Sequence, residues 1–308
     1  MAEEGKTPRP DWAIDAIGEE AYEALASRLS PSELWSLLLL VLGRRAESRA
    51  PAEVLRQWQR DPFTRLSAVD QRTMVALDAA LLAAADGFEA VELSPLAPLG
   101  ACASVAPGSQ NRVVSALRGT EVVADPTNVL ALECARRLRE RPRDVVRLAT
   151  CHRCVRAQPA PKGPGFAQHF RLFCLATAGR EREDHDFVVS ALVEQIETHL
   201  GALDRLEADG YEFPGREVRL LAAPARAALA DRVAEAIRGV PVSRAALDHR
   251  YYDGLRFQIF TDRTPPGGFG LVDGGSFDWV AQLLSDRSLV YVASGLGEQL
   301  VAAQFRRD

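Results

Sequence analysis

No apolar run in this sequence is long enough to cross a lipid bilayer. The most hydrophobic run is Leu37 to Leu42, whereas a membrane-spanning helix needs about 20 apolar residues. Positive charge is not in excess either, because the net charge is -5 at pH 7. A dedicated nucleic-acid-binding protein usually carries a basic domain or stripe. These two absences argue against a membrane protein and against a dedicated nucleic-acid binder.

Cysteine is scarce, and its positions are scattered. The chain has 5 cysteines, an odd number without the regular spacing of a disulfide framework. The polar segment Met1 to Pro10 has no apolar signal core. We therefore expect a cytoplasmic protein whose thiols stay reduced.

Two common site motifs are incomplete. Cys151-His152-Arg153-Cys154 has C-x-x-C spacing, but a structural zinc site usually needs a second such pair. We therefore expect incidental cysteines and no metal site. Pro265 to Gly268 lacks the Lys and Ser/Thr of a phosphate-binding loop, so its glycines predict a hairpin instead.

The composition is that of a soluble globular protein, with 47% hydrophobic and 26% charged residues. We expect a disordered tail over 1–10, a helical extension over 11–62 and one larger core over 63–308. Ser30-Pro31-Ser32-Glu33 fits a capping box that begins a helix. A further helix start is predicted at Ala50-Pro51.

Strands and helices are interspersed in the predicted core. Helices are expected over 69–85, 127–139, 184–203, 225–237 and 295–305. Strands are expected over 88–93, 145–158, 168–177, 217–221, 250–260, 268–273 and 288–294, with a hairpin near Arg118-Gly119. Neighbouring strands joined by short connections favour an α+β fold with a mostly antiparallel sheet.

Several short segments occur in an order that is typical of one enzyme class. They are Gly87-Phe88-Glu89-Ala90-Val91-Glu92-Leu93-Ser94-Pro95, Ala124-Asp125-Pro126-Thr127, His152-Arg153-Cys154-Val155-Arg156, Tyr251-Tyr252-Asp253-Gly254, Asp273-Gly274-Gly275-Ser276-Phe277-Asp278 and Gly295-Leu296-Gly297-Glu298-Gln299-Leu300. Together they resemble the catalytic core of a class II aminoacyl-tRNA synthetase of the histidyl type. The resemblance covers about 69–305 and implies an antiparallel sheet flanked by helices. It also implies a homodimer through the helix 69–85 and the strand after it.

The resemblance implies roles for several residues. Arg153 stands where the family's arginine contacts the α-phosphate of ATP, although Val155 replaces the glutamate two residues later. His169 fits the end of the same signature, with Phe173 four positions on, and Phe170 offers a competing register. An arginine suits a phosphate because its planar donors match the oxygens. On residue type alone, Arg153 would equally be a solvated side chain on a strand.

Further ligand-binding residues follow from the same resemblance. With the segment aligned on Thr127, Asp125 falls where the family's glutamate holds the substrate amino group, although Asp125 and Thr127 are also good helix caps. Tyr251 and Tyr252 match a paired-tyrosine motif, and aromatic packing on a strand is their alternative interpretation. Gln299 stands in place of the arginine that contacts the γ-phosphate side of ATP.

The replaced residues argue against histidyl-tRNA synthesis. Leu172 and Ala176 stand where the family recognises the substrate with polar side chains, and a site built from hydrogen bonds loses selectivity steeply without them. Gln299 cannot neutralise phosphate charge, which is usually the largest catalytic contribution to such transfers. We also expect no anticodon-binding domain, and therefore do not expect tRNA as a partner.

Three functions remain open from the sequence. The first is a small-ligand-binding or regulatory paralogue that resembles the ATP phosphoribosyltransferase regulatory subunit, with an amino acid or nucleotide as ligand. The second is an ATP-dependent ligase that forms an acyl-adenylate, for which the resemblance implies ATP with magnesium; otherwise no cofactor is expected. The third is an interaction scaffold whose protein partner binds residues 11–62.

Overall fold

The computed structural model describes residues 10–264 and 270–307. The chain begins with short helices, and the Ser30–Glu33 capping box predicted from the sequence is present at the start of the third. Glu33 N donates to Ser30 Oγ at 3.4 Å, and Ser30 N donates to the Glu33 carboxylate at 2.9 Å. These helices are α1 (Asp11–Ile17), α2 (Glu19–Glu23) with a π-helical turn Ala24–Arg28, α3 (Pro31–Glu47) and α4 (Pro51–Arg60).

A longer helix and a small sheet follow. Asp70 caps α5 by accepting a hydrogen bond from Arg72 N at 2.9 Å. The small sheet has the strand order β2-β4-β3. The elements are α5 (Gln71–Ala84), β1 (Glu89–Ala90), β2 (Leu96–Pro98), the helical turns Ala101–Val105 and Gln110–Arg112, β3 (Ser115–Ala116) and β4 (Thr120–Val122).

The rest of the chain builds the main sheet and the helices that cover it. Its elements are α6 (Pro126–Glu140), β5 (Val146–Val155), β6 (His169–Arg180), a helical turn Glu183–His185, α7 (Asp186–Ala208), β7 (Glu217–Ala222), a helical turn Pro224–Arg226, α8 (Ala227–Ala236), β8 (Val242–Ala246), β9 (Leu255–Phe260), β10 (Val272–Phe277), α9 (Trp279–Leu284), β11 (Leu289–Gly297) and α10 (Glu298–Gln304).

The main sheet has eight strands in the order β1-β5-β6-β11-β10-β9-β7-β8. Its two outermost pairs, β1 with β5 and β7 with β8, are parallel, and the five pairs between them are antiparallel. The predicted α+β fold with a mostly antiparallel sheet is therefore confirmed. Among the described residues, no helix is long and apolar enough to span a membrane.

Each face of the main sheet packs against different helices. Helices α5, α7 and α8 cover one face, where Phe173 and Leu175 of β6 join their hydrophobic core. Helices α6 and α9 cover the other face together with Cys174 and Ala176 of the same strand. The alternation follows from the strand geometry, since neighbouring side chains point to opposite faces.

Some predicted boundaries differ from the structure. The strand expected over 88–93 forms ladder pairs at Glu89 and Ala90 alone. Strand β9 begins at Leu255 rather than at 250, and β10 extends to Phe277 rather than ending at 273. Strand β11 continues to Gly297, because Gly295 to Gly297 still pair with β6, so α10 begins later than predicted. The predicted hairpin at Pro265 to Gly268 lies outside the described residues.

Candidate functional site

A cavity of about 410 Å³ lies on the sheet face that α6 and α9 cover. Three parts of the chain enclose it: the start of α6, the loop between β5 and β6, and the tyrosine pair before β9. Its floor comes from the central strands β6, β10 and β11, where Leu172, Cys174 and Ala293 present apolar side chains. The cavity therefore combines an apolar floor with polar walls.

Asp125 is the N-cap of α6 and part of the cavity wall. Its Oδ1 accepts hydrogen bonds from Thr127 N at 3.0 Å and from Thr127 Oγ1 at 2.7 Å. Its Oδ2 lies 3.3 Å from Arg156 Nη2. The capping interpretation of the sequence is thus correct, and the same carboxylate also borders the cavity.

Arg156 enters the cavity just beyond the end of β5. Its Nε donates to the carbonyl oxygen of Ala124 at 2.9 Å, and its guanidinium lies 5.0 Å from the ring centroid of Phe170. The hydrogen bond and the stacked ring hold the guanidinium against the start of α6. A second arginine, Arg112, lines the same cavity.

The opposite wall is a hydrogen-bonded group around Asp273. Its Oδ1 accepts from Tyr252 Oη at 2.9 Å and from Arg256 Nε at 2.9 Å, and its Oδ2 lies 2.5 Å from Arg256 Nη2. Burial raises the pKa values of Tyr251 and Tyr252, so both phenols stay protonated and can donate. Gly275 beneath them leaves no room for a side chain, since an added Cβ would clash with Leu255 O and the Tyr252 ring.

Several buried polar atoms of the cavity lining make no hydrogen bond within residues 10–264 and 270–307. They are Asn128 Oδ1, Gln168 Oε1 and Gln299 Oε1. A buried polar atom without a partner costs about 1–3 kcal/mol, and native proteins keep few of them. Donor groups of a ligand, or ordered water, would satisfy these acceptors.

Beneath the cavity floor lies a buried polar network on the α7 side of the sheet. His199 Nε2 lies 2.8 Å from Ser294 Oγ, which donates to Gln195 Oε1 at 2.7 Å. Gln195 Nε2 in turn donates to Thr177 Oγ1 at 3.2 Å and to Val292 O at 3.0 Å. Because the Ser294 proton is used on Gln195, the neutral His199 ring carries its proton on Nε2. Burial lowers the pKa of His199 to about 3.

The structure brings five of the predicted site residues together at the cavity. These are Asp125, Thr127, Tyr251, Tyr252 and Gln299. Thr127 is buried, and its carbonyl accepts a hydrogen bond from Tyr291 Oη at 2.7 Å. Gln299 lies at the start of α10, where its Nε2 is 3.3 Å from Ser67 Oγ.

Arg153 and His169, which the sequence also proposed as site residues, do not line this cavity. Arg153 Nη1 is 3.0 Å from His169 Nδ1, and His169 Nε2 is 2.8 Å from Arg65 O. Arg153 pairs across the ladder with Arg171, whose side chain reaches Asp78 on α5. This is the opposite sheet face, and Arg156 is the arginine of this segment that lines the cavity.

Sequence reasoning missed several residues of the lining. The unrecognised polar ones are Arg112, Asn128, Arg156, Gln158, Gln168, Arg171, Asp273 and Ser294. Asp273 directly precedes the glycines of a segment that was recognised, and Arg156 lies three residues after Arg153. Strand alternation could have flagged Arg156, but only with the register of β5 known. Arg112 has no sequence signal, since the short turn 110–112 carries it to the cavity.

A metal ion does not fit the one acidic cluster found among the described residues. Asp78, Cys151 and Glu298 bring their ligand atoms within 4.8 Å of one another on the α5 side of the sheet. The Arg171 guanidinium already supplies positive charge there, 2.5 Å from Asp78 Oδ2 and 3.4 Å from Glu298 Oε2. Burial raises the pKa of the Glu298 carboxyl well above its ordinary value, so a proton balances the remaining charge.

Several solved structures are similar to this chain in fold. An ATP phosphoribosyltransferase regulatory subunit/histidyl-tRNA synthetase from Bacillus halodurans has a TM-score of 0.58 and 15% identity, over 79% of this chain and 82% of its own. A histidine–tRNA ligase subunit from Alicyclobacillus acidocaldarius has a TM-score of 0.56 and 14% identity, over 79% and 96%. A histidyl-tRNA synthetase from Nostoc sp. PCC 7120 has a TM-score of 0.57 and 12% identity, over 79% and 74%.

These likenesses establish the fold. The chain has an α+β core like that of class II aminoacyl-tRNA synthetases. The three neighbours just described are of the histidyl type, as the sequence motifs predicted. No protein-family model matches the chain, and no curated protein sequence matches it.

Proposed function

We propose that this chain is a histidyl-synthetase-like paralogue that binds a small carboxylate-bearing metabolite of amino-acid size in the cavity, and that it acts as a ligand-responsive regulator. The observation that carries the proposal is the pairing of the charged groups around the cavity. Asp125 is paired with Arg156, Asp273 with Arg256, and Arg171 with Asp78. Within the described residues, Arg112 is the charged lining side chain that no ion pair neutralises.

The single unpaired cation, Arg112, suits a ligand with one carboxylate and not a nucleoside triphosphate. A triphosphate brings about four negative charges, and its transfer chemistry depends on cations that neutralise them. Gln299, which borders the cavity at the start of α10, is neutral. These residues therefore do not fit ATP with magnesium, and acyl-adenylate formation is the less favoured candidate.

The floor of the cavity also bears on the choice of ligand. Leu172, Cys174 and Ala293 offer no polar group to an imidazole ring, and a polar ligand group without a partner is strongly disfavoured. The ligand is therefore expected to carry an apolar portion on the floor side. Its polar portion would meet Arg112 and the unpaired oxygens of Asn128 and Gln168.

Thermal shift, followed by calorimetry, tests the proposal. The probes are the standard amino acids, including histidine, and MgATP as a separate arm. A ligand that binds the folded state raises the melting temperature when its free concentration exceeds its dissociation constant. We expect an amino acid with an apolar side chain to stabilise the chain and MgATP to leave it unchanged.

Two arginine variants give the matched comparison. Arg112→Ala should weaken the binding by about 10- to 100-fold, which corresponds to a lost charge-assisted hydrogen bond of about 1.5–3 kcal/mol. Arg153→Ala is the control, because Arg153 lies on the other face of the sheet. Equal losses in both variants, or a shift with MgATP that Arg156→Ala abolishes, would overturn the proposal.

A further inference from the structure

Glu121 of strand β4 is a buried carboxylate without an ion pair in the part of the chain that the structure describes. The residue is 2% exposed, and a buried charge is unfavourable unless hydrogen bonds satisfy it. Its Oε1 accepts from Cys102 N at 2.9 Å. Its Oε2 accepts from Gly100 N at 2.9 Å and from Gln110 Nε2 at 3.1 Å. All three donors lie in the segment 100–112.

The segment 100–112 forms part of the cavity wall and contains two short helical turns. Cys102 lies in the first turn and Arg112 ends the second, and both line the cavity. Gly108 between them also lines the cavity, and its N–H donates to Cys102 O at 3.1 Å. Because Glu121 accepts hydrogen bonds from both turns, its carboxylate joins them.

The position of the Arg112 guanidinium depends on the backbone that carries it. Among the described residues, this guanidinium makes no hydrogen bond or ion pair. The Arg112 carbonyl accepts from Ala157 N at 2.8 Å, which joins the second turn to the chain after β5. Gln110 in the same turn donates to Glu121. Both contacts limit the movement of Arg112, and a binding group that is fixed in advance loses less entropy when the ligand binds.

We propose that Glu121 is a positioning residue for the cavity. Through Gln110 and the segment 100–112, its carboxylate keeps Arg112 where the carboxylate of a ligand binds. This inference rests on the proposed function, in which Arg112 meets that carboxylate. Glu121 does not itself line the cavity, so it acts on the ligand through the segment.

Two variants and one control test the proposal. Donors approach both oxygens of the Glu121 carboxylate, so in Glu121→Gln the NH2 group meets an N–H donor in either orientation. Gln110→Ala removes the contact of the second turn alone, and it serves if the first variant does not fold. The control is Glu181→Gln, because Glu181 Oε1 likewise accepts from a backbone amide, Phe187 N at 3.0 Å, at the start of α7 on the other sheet face.

Hydrogen–deuterium exchange of the ligand-free, full-length chain is the first measurement. The amides of residues 108–113 surround Arg112 and include the backbone hydrogen bonds of the second turn. Local opening of such bonds speeds exchange. We expect faster exchange there in Glu121→Gln and in Gln110→Ala, and unchanged exchange in Glu181→Gln. Wild-type exchange of these amides in all three variants would overturn the proposal.

Calorimetry with valine, leucine, isoleucine, methionine and phenylalanine is the second measurement. For the amino acid that binds the wild type, Glu121→Gln should raise the dissociation constant about tenfold, the size expected for a misplaced charge-assisted hydrogen bond. In the Arg112→Ala background the same substitution should raise it less than about twofold, because the contact that Glu121 positions is already absent. Tenfold losses in both backgrounds would indicate a general structural effect and overturn the proposal.

Failure of this inference and failure of the proposed function are distinguishable. The proposed function is contradicted if none of these amino acids binds the wild type, or if Arg112→Ala binds as tightly as the wild type. The exchange measurement needs no ligand. In either case it decides alone whether Glu121 fixes the segment that carries Arg112.

Discussion

The buried imidazole of His199 should make the protein lose stability in mild acid. Its ring is fully buried between Ser294, Phe173 and Phe257, and this burial lowers its pKa from 6.5 to about 3. In the unfolded chain the ring takes up a proton below about pH 6.5, whereas in the folded chain it stays neutral. The unfolded state therefore binds more protons between these values, and stability falls as the pH falls through this window.

The size of the loss follows from the two pKa values. Each pH unit between them is worth about 1.36 kcal/mol, so about 2 kcal/mol is lost by pH 5 and nearly 5 kcal/mol by pH 3. His199→Gln keeps a donor near Ser294 Oγ and removes the titrating group. The variant should therefore lack this part of the acid-dependent loss.

Urea unfolding at pH 7.5 and pH 5.0 measures the difference. The fall in the free energy of unfolding between the two pH values should be about 2 kcal/mol larger in the wild type than in His199→Gln. Other titrating groups, such as Glu298, are common to both proteins and cancel in this comparison. Equal falls would refute the inference that His199 is held neutral in the folded state.

Two further predictions concern the packing around the sheet. The pKa of the Glu298 carboxyl is raised in the folded state. The wild type should therefore lose stability relative to Glu298→Gln as the pH rises above about 4.5, where the carboxyl of the unfolded chain ionises. Urea unfolding from pH 4.5 to 8 measures this difference, and free energies of unfolding that change in parallel with pH would contradict it. Gly275→Ala should lower the free energy of unfolding by about 1–3 kcal/mol, because its methyl group meets Leu255 O and the Tyr252 ring. Gly201→Ala on α7 is the matched control: it meets nothing within 4 Å and should raise the free energy of unfolding by about 0.5–1 kcal/mol. Chemical denaturation separates the two glycine variants, and a Gly275→Ala protein as stable as the wild type would contradict the close packing beneath the tyrosines.

Local sequence signals predicted the elements that depend on local chemistry. The capping box at Ser30 and the Asp-Pro-Thr start of α6 specify helix starts with their own side chains, and both helices begin there. The tertiary context decided the rest. Residues 91–94 have an alternating strand pattern but form no strand. The ladder between β1 and β5 contains Glu89 and Ala90 alone. Strand β8 was missed, since its outer-edge residues Arg244 to Ala246 are exposed and carry no apolar alternation.

Site residues next to a helix cap or a turn were predicted from their motif. Site residues on a strand were missed, because the strand register determines which face of the sheet their side chains occupy. Asp125 and the tyrosine pair lie next to a cap or a turn, and both reach the cavity. Arg153 and Arg156 are three residues apart in one segment, and the pairing of β5 with β6 sends Arg153 to the α5 face. The local sequence pattern does not show which of these two arginines points to the ligand, because a register shift of one residue turns every side chain of a strand to the other face of the sheet.

A crystal structure of the chain, soaked with the standard amino acids together with MgATP, tests the ligand-binding proposal most directly. We predict density for one amino acid in the cavity, with its carboxylate on Arg112, an apolar side chain over Leu172 and Ala293, and no nucleotide. Nucleotide phosphates on Arg156, or a cavity that holds neither compound, would contradict the proposal.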